Sequence, residues 1–273
     1  MLDAQHQGLI DPSIFLKSQN DFTNSVFNPL KDFEDAKFAS KSHGLITSYA
    51  ANTHQGIQRN YNEDRVSIIL NMTRPENKDP STWPKCSFFA IYDGHGGNTC
   101  ADFLKDNLHQ IVIQQPCFPH DPKQALYDGC AIAEERFLKK ADQEISYDKS
   151  GSCAIIVLIV DKECYIANVG DSRAILSSES GIKIFDLSQD HRPNEEAEFY
   201  RIQDNGGQVY QTQTFQNIPV TNKFGQVTGT QKQMLCGPYR VLPGRLSVSR
   251  TFGDIEAKME KFGGKPGVVS AVP

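Results

Sequence analysis

The chain has 273 residues, 38% of them hydrophobic and 22% charged, with a formal net charge of −5; this supplies one sizeable core plus an extension rather than two domains. The acidic balance offers no concentrated basic face, which excludes nucleic acid as a partner, and no apolar run approaches the roughly 20 residues that a membrane span requires. Seven cysteines, an odd count with no Cys-x-x-Cys spacing and no secretory leader, exclude a disulfide scaffold or a zinc site and lead to the expectation of an intracellular chain, cytoplasmic or nuclear, with free thiols.

Residues 1–42 are polar and weakly periodic, with Phe15, Phe22, Phe27 and Phe33 scattered through them, and read as an extension that partly packs on a domain spanning 43–273. Arg59-Asn60-Tyr61-Asn62-Glu63-Asp64 then leads into a strand-like run over 65–70. Arginine offers a planar fork suited to phosphate oxygens, and alternation along a strand turns Glu63 and Asp64 opposite ways, so that one can reach a metal while the other braces a loop. Taken alone, such a cluster is solvated surface charge in most proteins. Residues 71–85, with Pro75, Pro80 and Pro84, form a loop in which Trp83 is a packing residue.

The run Cys86-Ser87-Phe88-Phe89-Ala90-Ile91-Tyr92 is aromatic, β-branched and too short for a helix; it predicts a buried strand closed by Asp93-Gly94-His95-Gly96-Gly97. That pentapeptide puts a hard oxygen donor, a proton carrier and bare backbone at a strand end, although a glycine-rich turn with a capping Asp fits it as well. Apolar stripes predict helices over 98–114 and 122–145, with His109 near the first stripe in a structural role. Gly151-Ser152-Cys153-Ala154 opens a hairpin of runs 155–160 and 164–169 around the polar turn Asp161-Lys162-Glu163, ending in Gly170-Asp171-Ser172-Arg173. The blander reading of that end is an Asp171–Arg173 pair across a turn. A third helix is expected over 193–205, opened by Pro193 and closed by Gly206-Gly207. Residues 208–244, rich in Gln, Thr and Asn, are longer than the connection needs and read as an insertion near the site mouth, either a surface hairpin or a substrate-contacting flap.

Taken with Asp190-His191-Arg192-Pro193 and Ser249-Arg250-Thr251-Phe252-Gly253-Asp254, these segments closely resemble, in order and spacing, the metal-dependent protein serine/threonine phosphatases of the PPM or type 2C family. The resemblance implies an α/β (α+β) fold, a four-layer α-β-β-α sandwich of two mostly antiparallel sheets flanked by helices. It implies hydrolysis of phosphoserine and phosphothreonine monoesters in phosphorylated protein substrates, by a monomer using Mg²⁺ or Mn²⁺ at two positions with a third, weaker one. Residue by residue, Asp93 would bridge two metals, Glu63 and the Gly94 carbonyl would complete the ligands of one, and Asp171 would serve the third. Arg59 would hold the substrate phosphate and His95 would protonate the departing oxygen. Asp64 would be a supporting carboxylate, Asp254 would close the motif packing a strand under the site, and the motif around His191 would give structural support.

Two departures qualify the resemblance. Cys153 stands where the family usually has threonine, which replaces a hydroxyl with a weak donor. The family pattern continues past Gly267-Val268-Val269-Ser270-Ala271-Val272-Pro273 into a strand ending Asp-Gly-x-x-Asp and a later Asp-Asn. The expectation is therefore a domain lacking its C-terminal strands, whose second metal keeps only Asp93. The alternative is a catalytically impaired pseudophosphatase, or a fragment, that binds phosphoproteins. No Cys is followed by Arg at the spacing cysteine phosphatases need, so no cysteine nucleophile is expected.

Overall fold

The computed structural model describes residues 37–273 apart from 223 and 225, so residues 1–36 of the expected extension lie outside the described part. Strands β1 (Lys37–Ala39) and β2 (Tyr49–Ala51) pair antiparallel. The central sheet has the order β3-β4-β7-β8, all antiparallel, from β3 (Arg65–Ile69), β4 (Cys86–Tyr92), β7 (Ala154–Val160) and β8 (Glu163–Val169). Period-two burial sorts β4: Phe88, Ala90 and Tyr92 are buried, while Phe89 and Ile91 on the other face are partly open.

Two helices cover the buried face. In α1 (Thr99–Gln114) the stripe Ala101, Leu104, Leu108, Ile111 and Val112 is buried, and α2 (Pro122–Gln143) contributes Ala125, Leu126, Ala133 and Phe137 to the same core. Each large side chain buried there contributes about 1.5–3 kcal/mol. Asp121 caps α2 by accepting from Gln124 N at 2.9 Å, and Pro122 occupies a first-turn position whose N–H needs no partner. The helices cross closely at Gly129, where a Cβ would stand 2.7 Å from Val112 Cγ2. Trp83 packs on Phe118 with ring centroids 5.5 Å apart, and His109 lies against Phe88 at 6.1 Å.

Beyond Tyr92 the pairing continues in the same register. β5 (Gly94–His95) pairs with β6 (Gly151–Ser152), which also pairs with β13 (Phe252–Gly253), and Cys153 N donates to the Asp93 carbonyl at 2.9 Å between the two sheets. Asp93 thus sits where the four-stranded sheet passes into a small three-stranded one.

The rest of the chain forms a hairpin of β9 (Ile175–Ser178) and β10 (Lys183–Asp186), helix α3 (Glu196–Asp204), and a long ribbon of β11 (Gln208–Thr221) and β12 (Val227–Leu242). The segment read as an insertion is this ribbon. Val209 and Val241 root its base in a second small core with Ile202, Ala257, Val268 and Val269, whereas Phe215 and Met234 face each other in the open part. Helix α3 starts at Glu196 rather than Pro193, because 192–195 close a separate turn through Glu195 N and the Arg192 carbonyl. A fourth helix, the single turn α4 (Ile255–Lys258), follows Asp254; four residues carry no periodicity from which to expect it. The described residues form a mixed α/β fold with antiparallel sheets and four α-helices.

Candidate active site

At the end of β4, carboxylates from two other segments lie near enough to Asp93 to act on its charge. Asp64 comes from the approach to β3, Asp93 from the end of β4 and Asp171 from the turn after β8. Loss of solvent lifts the Asp93 carboxyl above its ordinary value, the charges of Asp64 and Asp171 lift it further, and His95 and Arg59 pull against them. Asp64 is raised as well, by burial and by Glu63, with Arg65 opposing. Among the described residues, none donates a hydrogen bond to the Asp93 carboxylate, while Asp171 is held by Arg192 at 3.3 Å and lies 3.9 Å from the Cys153 thiol.

Glu63 and Asp64 lie just before β3. Glu63 is buried and braces the glycine loop: its Oε1 accepts from Gly97 N at 2.7 Å and its Oε2 from Arg59 at 3.1 Å. Gly94 is buried where a Cβ would overlap the Glu63 carbonyl, so only glycine lets the two segments approach. Arg59 remains largely exposed, which leaves most of its guanidinium N–H groups for a ligand.

His95 is joined to Asp254, with Nε2 at 2.9 and 3.0 Å from the two carboxylate oxygens. Burial alone would lower the imidazole, yet the bond and charge of Asp254, with Asp93 and Glu63 behind it, raise it overall. Gly151 makes the pair possible, because a Cβ there would overlap Asp254 Oδ2 and stand 2.5 Å from His95 Nε2. Asp254 therefore lies beside the proposed proton carrier, a contact that the sequence reading, which gave it a packing role, did not anticipate.

The Asp171–Arg173 pair is not formed. Arg173 instead grips Asp190 with two bonds of 3.1 Å, and Arg192 spans Asp190 and Asp171. Further back, Glu198 on α3 binds Arg201, Arg250 and Ser249 in a buried knot beside His191. Glu198 and Arg201 are three apart on one helix, but Ser249 and Arg250 lie 51 and 52 residues from Glu198, and no local pattern indicates those two contacts.

The acidic neighbours of Asp93 are oxygen donors, and a carboxylate without a hydrogen-bond donor beside like charges is compensated by a hard dication, so these residues fit Mg²⁺ or Mn²⁺. The set is open rather than a closed cage: among the described residues no three His, Cys, Asp or Glu side chains gather as a ready metal group.

Comparison with known proteins agrees with this arrangement. The family model described as protein phosphatase 2C matches residues 52–273. Protein phosphatase 2C homolog 2 of Hypocrea jecorina is 35% identical over 198 residues, covering 72% of this chain and 38% of the relative. Protein phosphatase 2C homolog 3 of Schizosaccharomyces pombe is 35% identical over 212 residues, covering 77% of this chain and 42% of the relative. The chain thus spans less than half the length of these relatives. In fold it is similar to a serine-threonine phosphatase 2C from Toxoplasma gondii, with a TM-score of 0.54 at 20% identity over 88% of this chain and 71% of that one. By sequence and by architecture, the chain belongs to the protein phosphatase 2C family.

Proposed function

We propose that the protein hydrolyses phosphoserine and phosphothreonine monoesters in phosphorylated proteins, as an intracellular monomer dependent on Mg²⁺ or Mn²⁺. The observation that carries this reading is the Asp64–Asp93–Asp171 group flanked by Arg59 on one side and the His95–Asp254 pair on the other. Asp93 would hold the metal ions, with Glu63, the Gly94 carbonyl and Asp171 as further donors. Bound there, the ions would supply charge neutralisation for the phosphoryl oxygens and a water of lowered pKa.

The chain's own residues do the rest. Arg59, tethered to Glu63, presents its free N–H groups to the phosphate and orients it. Asp254 binds the His95 Nε2 proton, leaving Nδ1 to carry a proton to the seryl or threonyl oxygen, a step worth about 10²–10⁴ in rate. The Gly96-Gly97 loop, pinned through Gly97 N, keeps Glu63 and His95 in fixed relation.

The finer architecture, a four-layer sandwich, is supported by the face of the central sheet turned away from the helices. It carries Val66, Ile68, Phe89, Val157 and Ile159, all only partly exposed, so the sheet is apolar on both faces as an inner layer must be.

Engagement of Glu63 by Arg59 and Gly97, with no closed metal group among the described residues, favours a second reading, a phosphoprotein-binding module without turnover. Calorimetric binding of a phosphothreonine peptide, run beside phosphate release from the same peptide, separates the two. Release with Mn²⁺ is expected; tight binding of an intact peptide without release would establish the binding module instead.

A further inference from the structure

The ribbon that rises from the second small core concentrates one sign of charge. Residues 208–244 hold Lys223, Lys232 and Arg240 and no Asp or Glu, so the net charge of −5 is made of +3 in this segment and −8 in the rest of the chain. Strand alternation puts Phe215, Asn217, Lys232 and Met234 on one face, where Phe215 stands opposite Met234 and Asn217 opposite Lys232. Phe215 is 71% exposed and Met234 49%, and Lys232 is exposed beside them with no carboxylate on the ribbon to pair with it. Aromatic and methionine side chains left open together are the residue types that anchor interfaces.

The edges of the ribbon are blunted. Among the described residues it pairs with no third strand; Pro219 lies within β11, Pro238 within β12, and the register shifts between Gln211 and Gln213. Prolines and bulges of this kind discourage the addition of a further strand, and a second ribbon is repelled by the same positive charge. What remains available is the side-chain face, to groups of the opposite sign. At the base, Val209 and Val241 pack with Ala257, three residues past Asp254. From Val209 to Phe215 the ribbon rises about 20 Å, whereas a pentapeptide extends only about 7 Å to either side of a central phosphothreonine.

Resting on the phosphatase reading above, we propose that the Phe215–Lys232–Met234 face docks an acidic segment of the phosphorylated protein, one that bears an aromatic or aliphatic side chain and lies away from the phosphorylated residue. Its carboxylates meet Lys232 and its apolar side chain covers Phe215 and Met234. Docking raises the local concentration of the phosphate at the site and leaves the chemical step unaltered.

Tethered peptides test this. One probe is a phosphothreonine pentapeptide; the other joins the same pentapeptide, through a Gly-Ser linker of about 20 residues spanning about 25 Å on average, to the tail Asp-Glu-Phe-Glu-Asp-Leu-Glu. With Mn²⁺ present, the parent is expected to show a KM about tenfold lower on the tailed peptide at equal kcat. The advantage should shrink in about 0.5 M NaCl and vanish when the tail carries Asn and Gln for Asp and Glu, as well as in Lys232→Glu and in Phe215→Ser. Both variants should keep KM and kcat on the pentapeptide within about twofold, since neither side chain is packed. Fluorescence anisotropy of the labelled tail alone reads the docking without turnover, and its binding signal should be lost in Phe215→Ser. Equal KM on both peptides in the parent, or a tail advantage that survives Lys232→Glu and Phe215→Ser, would overturn the proposal. So would a dimer that Phe215→Ser dissociates, because the face would then belong to a second copy. Should the parent release phosphate from neither peptide, the phosphatase reading fails; the anisotropy then decides the docking alone, and a tail that does not bind overturns it.

Discussion

A single methyl group at residue 151 would separate His95 from Asp254, since the space where it would sit is already occupied by their polar atoms. Gly151→Ala is therefore expected to lower phosphothreonine-peptide kcat by about 10²-fold and stability by about 1–3 kcal/mol, to be checked by steady-state kinetics and urea unfolding. The acid limb of stability belongs to other residues. Burial pushes the Glu198 carboxyl up, but bonds from Arg250, Arg201 and Ser249 outweigh it and bring it from 4.5 down to about 2. Its contribution, about 3 kcal/mol, is present above pH 4.5 and lost as pH falls toward 2. His191 is lowered to about 4 by burial and then by Arg250, so the unfolded chain binds its proton first and stability already declines from pH 6.5 to 4. Glu198→Gln should flatten the lower part of the pH–stability curve and leave the upper part; an unchanged curve below pH 4.5 would rule out the knot as its source. Asp93, Arg59 and His95 were legible as a chemistry-bearing set because strand ends and glycines flank them in sequence. Glu198 was not, because its partners Ser249 and Arg250 lie 51 and 52 residues away and only folding brings them together.

At the level of elements, legibility followed local pattern. β4 was marked from Cys86 to Tyr92 by an unbroken apolar run ended by glycines, and α1 and α2 by stripes that repeat over several turns. The ribbon was harder, since its exposed strands mix polar residues with scattered apolar ones such as Phe215 and Met234 and bury side chains only at the base, so neither period has contrast there. Replacing 213–236 by an Asn-Gly turn keeps the Val209–Val241 base. Turnover of a small phosphate ester should then be unchanged, whereas kcat/KM on a phosphoprotein should fall by about tenfold, the equivalent of one or two lost polar contacts. Equal kinetics on the protein substrate would reject the ribbon as a substrate-contacting flap. The crossing of α1 and α2 gives a stricter test of packing: Gly129→Ala places a Cβ 2.7 Å from Val112 Cγ2 and should cost about 1–3 kcal/mol in urea unfolding, whereas no loss would mean that the helices separate freely.

For the whole molecule, the two-faced apolar character of the central sheet and the site at its end belong to one design. Helices close one face, and the strand ends bring Asp64 and Asp171 near enough to Asp93 to act on its charge without a long loop between them. The resemblance visible in the sequence reached this level because its motifs fall at strand ends in a fixed order; the scaffolding between the motifs, such as the Glu134–Lys258 pair, was invisible because it depends on helix packing. The central claim is that Asp93 organises a metal-dependent phosphatase site. The most direct measurement is the Mn²⁺ dependence of phosphate release from a phosphothreonine peptide by this chain and by Asp93→Asn, with Mn²⁺ affinity measured calorimetrically on both. The account predicts release that rises with Mn²⁺ in the parent and falls by at least about 10³-fold in the variant, together with weakened Mn²⁺ binding. Release that is independent of Mn²⁺, or retained in Asp93→Asn, would contradict it.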